Sequence, residues 1–108
     1  MRNRLSLKDP RWALLEQLEP ILLQRFDPDG VTAVRFIAWF SALPGFSVWL
    51  CTSTDIEREA LHVAAAQVAV RQIALSVGFS EVDEPGVVAQ SQETVDRDFE
   101  GSWFYAMR

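Results

Sequence analysis

The stretch from Thr52 to Phe79 limits what this chain can become more than any other, because it carries a helix start, a helix stop and helical periodicity between them. Thr54, followed three residues later by Glu57, forms a capping box in which each side chain satisfies a backbone N–H that a first turn leaves unpaired. Asp55, Glu57 and Glu59 add negative charge at the positive end of the helix dipole. At the other end Gly78 suits the left-handed residue that closes a helix, and Phe79 is placed to fold back on the last turn in a Schellman motif. One helix over residues 55–77 is predicted.

At about 100° per residue, Ile56, Val63, Ala66, Val70, Ile73, Ala74 and Val77 share a face wide enough to cover a sheet. A second stripe, Leu61, Val68 and Leu75, lies opposite among Glu57, Arg71 and Gln72. A helix apolar on two sides needs two partners, so this stripe is an interface candidate.

Ahead of this helix, Asp9 reads as an N-cap and Pro10 as the first helical residue, where a missing N–H costs nothing. Trp12, Leu14, Leu15, Leu18, Ile21, Leu22 and Phe26 recur at helical spacing, and Pro20 predicts a kink or break near Glu16 to Glu19. Residues 31–42 and 46–53 are rich in β-branched and aromatic side chains, with Leu43, Pro44 and Gly45 between them, which predicts a β-hairpin. In the first strand Val34, Phe36, Ala38 and Phe40 alternate with Ile37 and Trp39, so both faces should be covered. Residues 87–92 and 102–107 predict a second hairpin, joined by the charged connection 93–101.

The resulting fold class is α+β in the order αββαββ: a four-stranded, mainly antiparallel sheet with two helices packed on one face. One sheet face then lacks a helix, and Trp39 and Trp49 are interface candidates to occupy it. A chain of 108 residues fits a single domain, with 1–8 expected as a flexible N-terminal tail.

Charge narrows the partners. Residues 1–54 hold six Lys or Arg against five Asp or Glu, whereas 55–108 hold four against ten, so the net charge of −5 belongs to the second half. An acidic surface repels phosphate backbones and anionic lipid heads, which argues against nucleic acid and membrane partners. No segment approaches the roughly 20 apolar residues of a membrane span, and the first residues lack the apolar run of a signal peptide. A single cysteine agrees with a reducing compartment, so the expected location is the cytoplasm.

Chemistry-bearing residues are few. Cys51 stands at a strand end before a helix N-terminus, a setting that lowers thiol pKa values, yet the acidic first turn opposes a thiolate, and the plainer role is a buried small hydrophobe. His62 is the only histidine, with Glu59 as its possible partner, and alone it makes no metal site. Arg35 joins Cys51 and His62 as a ligand candidate on an aromatic sheet face. Glu93, Asp96, Asp98 and Glu100 lack the glycine and terminal acid of a Ca²⁺ loop, and they read as acids that could meet a basic partner. No catalytic set, metal site or cofactor motif is predicted. The expected role is a small non-enzymatic protein acting through protein contacts, as a homodimer or as an immunity- or antitoxin-type inhibitor of a basic partner. The alternative is a small apolar-ligand binder or modest enzyme.

Overall fold

The computed structural model describes residues 9–39 and 45–107. The expected tail 1–8, the end of the first predicted strand at 40–42 and the turn residues Leu43 and Pro44 lie outside the described residues.

Helix α1 (Arg11–Phe26) starts under Asp9, whose carboxylate accepts the Arg11 N–H at 2.9 Å. It passes unbroken through the exposed Pro20, so the predicted break is absent. A 3₁₀ turn (Asp27–Asp29) closed by Gly30 leads into β1 (Val31–Ala38), which pairs antiparallel with β2 (Phe46–Thr52). The Trp39 N–H donates to the Gly45 carbonyl at 2.8 Å and completes the predicted first hairpin.

The predicted helix over 55–77 is two helices, α2 (Asp55–Ala60) and α3 (Val63–Val77). Both ends are as expected. Thr54 and Glu57 make the capping box, and Phe79 N–H to Ala74 O and Gly78 N–H to Leu75 O make the Schellman closure. Between the helices Leu61 and His62 leave helical geometry. No Gly or Pro forces this, but Leu61 turns toward the hydrophobic cluster, and tertiary packing overrides local propensity. The break also resets the phase of the apolar face. Ala66, Val70 and Ala74 are buried as expected, whereas Ile56 is 79% exposed and Val63 is at the surface.

After α3 the chain returns to the end of the sheet where β2 began, and β3 (Gly86–Ser91) pairs parallel to β2. A helix of 15 residues, about 22 Å long, matches a six-residue strand of about 20 Å, as a βαβ crossover requires. The sheet has three strands in the order β1-β2-β3, and five helices are present among the described residues, so the four-stranded, two-helix expectation is corrected. Among the described residues no second hairpin forms. Residues Gln92–Asp98 are helix α4, capped by the Ser91 hydroxyl, and Trp103–Ala106 form the short helix α5, capped by Ser102.

Leu18 and Leu22 of α1 and Val70 of α3 meet Val34, Phe46, Val48 and Leu50 of the sheet in one hydrophobic cluster. Helices α1 and α3 therefore both contribute to the core on this sheet face. The register places Arg35, Trp49 and Val88 side by side, alternate to those core residues, on the second face. Part of that face is covered by the chain itself, because the Arg35 guanidinium lies 4.7 Å from the Trp103 ring centre.

Candidate functional site

In sheets with parallel strands, ligands favour the carboxyl ends of the strands, which here meet at the junction beyond Thr52 and Ser91. Asp55, at the start of α2, accepts hydrogen bonds from the hydroxyls of Ser91 and Thr94, and its second oxygen accepts from Arg97 Nη1 at 2.9 Å. Thr94 Oγ1 also accepts from Arg58 Nη1 at 3.1 Å and Arg97 Nη2 at 3.2 Å. In return the Asp55 N–H donates to Glu93 Oε1 at 3.0 Å, and the Glu93 N–H donates to the Ser53 carbonyl at 3.1 Å.

The hydrogen bond from Ser91, followed by those from Thr94 and Arg97, holds the Asp55 carboxyl well below the usual carboxylate range. So strong an acid is a poor general base at neutral pH. At the start of α2 the Asp55 N–H is met by the Glu93 carboxylate, and at the start of α4 the Glu93 and Thr94 N–H groups are taken by the Ser53 carbonyl and the Ser91 hydroxyl. The arrangement is a latch between two helix starts.

The sequence-predicted residues are spread over the molecule. Cys51 is buried on the second sheet face, its Sγ 3.6 Å from the Trp49 carbonyl. Burial pushes its thiol up to about 11, against a smaller lowering by Arg35. His62 is exposed and lines an open cleft of about 390 Å³ with Arg25, Phe26 and Asp29. Glu59, expected beside His62, lies 3.5 Å from Arg58 instead. Arg35 is therefore brought beside Cys51 on the second sheet face, and His62 stands apart from both.

The four acids expected in a loop lie on or just after α4. Glu93 belongs to the latch, Asp96 accepts from Gln92 Nε2 at 2.8 Å, Asp98 pairs with Arg97 at 3.1 Å, and Glu100 occupies a turn with φ 55°. Among the described residues no three His, Cys, Asp or Glu side chains are grouped to hold a metal ion. Of the helix stripe, Val68 is 58% exposed, Leu75 is half-buried and Leu61 packs against the core. Trp49 is half-buried, and its indole N–H is buried with no acceptor among the described residues.

The outer edge of β1 brings together residues that sequence reasoning had mostly left apart. A cleft of about 500 Å³ lies between Ala33–Phe36 and α1, with Trp12, Glu16 and Glu19 along its wall. A second, of about 520 Å³, lies between Arg35–Ile37 and α5, walled by Trp103, Phe104 and Met107. Phe104 is 71% exposed, and Trp39 is also at the surface. Trp39 was an expected interface residue. Phe104 and Met107 were missed because an aromatic run reads as a strand until its folding partner is known. Comparison with protein-family models, characterised proteins and solved structures gives no match. Among the described residues no helix is long and apolar enough to cross a membrane.

Proposed function

We propose that this chain works by binding another polypeptide, without transforming a small molecule. The observation that carries the proposal is the apolar margin of β1, where Ile37, Trp39, Phe104 and Met107 surround an edge that pairs with no strand among the described residues. Soluble chains guard such edges or use them. The reactive groups add support, since Cys51 is a buried thiol with a raised pKa, Asp55 is saturated with donors, and His62 and Arg35 line separate clefts.

The partner is a basic protein, given ten acids against four basic residues in the second half of the chain. An inhibitor of the immunity or antitoxin type, working in the cytoplasm, combines these properties. The test is affinity capture by the native chain and by the Trp39→Ser, Phe104→Ser double variant, with any retained protein purified and remixed. A basic protein held by the native chain and lost by the variant is expected; the same proteins on both would contradict the proposal. A homodimer is the second form, favoured by the exposed Val68 on α3. Sedimentation velocity tests it, and a monomer throughout the micromolar range rules it out.

A further inference from the structure

We infer that residues 92–107 form a strap that opens as one unit from the second face of the sheet, with the Asp55 latch as its catch. Opening uncovers Arg35, Trp49 and Cys51. Such a device controls access to a sheet face, and it holds whether or not the margin of β1 meets a partner.

The path of the chain carries the strap across the sheet. It leaves the end of β3 at Ser91 and sets Trp103 against Arg35 of β1, the guanidinium 4.7 Å from the ring centre. The strand order is β1-β2-β3, so a segment that begins on β3 and ends over β1 must pass β2, a span of roughly 10 Å. On that face the register sets Trp49 between Arg35 and Val88, with Cys51 two residues further along beside Gln90. Cys51 is 2% exposed and Val95 of α4 is fully buried, yet neither is part of the hydrophobic cluster on the opposite face. Arg35, against which Trp103 lies, also reaches the Cys51 thiol. The strap is thus the roof of the second face.

Little apolar burial holds this roof down. Among the described residues of the strap, Val95 is the one fully buried apolar side chain. The other ties are polar and gather at the two ends. At the near end Asp55 accepts from Ser91, Thr94 and Arg97, and its own N–H donates to Glu93. At the far end Trp103 lies on Arg35 and donates to Gln92 Oε1 at 2.8 Å, which couples α5 to the start of α4. Segments with few buried apolar contacts open at a smaller free-energy cost than the core. Trp49 reduces that cost, because its indole N–H is buried with no acceptor among the described residues and meets water once the strap lifts.

Cys51 is the only cysteine and lies beneath the strap, so the rate at which dithiobis(nitrobenzoate) modifies it in the full chain reports opening. In the native chain this rate should be about tenfold or more above what global unfolding allows, and it should rise only weakly with urea, because local opening exposes little surface. Asp55→Asn at the catch and Trp103→Ala at the far end should each raise the rate about tenfold or more. Val70→Ala, in the core on the opposite face, lowers global stability and should leave the rate without urea within about twofold of the native one. A native-chain rate that follows global unfolding at every urea concentration overturns the strap, and this measurement needs no variant. So does a failure of either Asp55→Asn or Trp103→Ala to accelerate labelling, or an equal acceleration by Val70→Ala.

Discussion

Two tryptophans show how a single hydrogen bond divides residues that look alike in the sequence. The Trp103 indole N–H donates to Gln92 Oε1 at 2.8 Å, tying α5 to α4, whereas the Trp49 indole N–H is buried without an acceptor. Phenylalanine at 103 deletes a satisfied donor, while at 49 it deletes an unsatisfied one. Trp103→Phe should therefore cost about 1 kcal/mol more than Trp49→Phe in denaturant titrations, and equal losses would contradict the pairing. Asp55 gives a pH signature. Its folded carboxyl titrates below its unfolded value of about 3.9, so its contribution is complete above that value and is lost as pH falls through the folded one. Asp55→Asn should be less stable than the native chain at pH 7 and should lose less on going into acid. The same loss in acid for both chains would show that the latch carries no such linkage.

Among the elements, helix ends were legible and helix continuity was not. The box of Thr54 and Glu57 and the closure at Gly78 and Phe79 depend on residues within a few positions of each other, and both stand as read. The break at Leu61 and His62 depends on Leu61 reaching a core built largely from distant segments, and nothing local records it. Residues 92–98 and 102–107 failed for a related reason. Ser91 and Ser102 were available as caps, but the charge of 93–98 reads as a connection and the aromatic content of 102–107 as a strand until β3 is seen to join β2 in parallel. The hairpin of β1 and β2, with its alternating faces, was legible because its pairing is local. Of the candidate site, Trp39 and Arg35 were named in advance, but the α1 wall was not, since Glu16 and Glu19 meet β1 only in the fold. Gly78 tests the helix end directly. Its φ of 120° and a Cβ that would stand 3.3 Å from Leu14 Cδ2 make Gly78→Ala costly by about 1–2 kcal/mol, read as a lower denaturation midpoint. An unchanged midpoint would mean the closure is not under this constraint.

For the whole molecule, the central strand and the outer strand have different work. β2 is paired on both sides, and its Phe46, Val48 and Leu50 are fully buried, whereas β1 has one neighbour among the described residues. Burial is concentrated at β2, and the proposed contact lies at β1. Residue-resolved amide hydrogen exchange on the dilute chain tests this division most directly. Amides of β2 should be protected throughout and those of β1 only at alternate positions. Protection of every β1 amide would contradict the assignment of β1 as an unpaired edge.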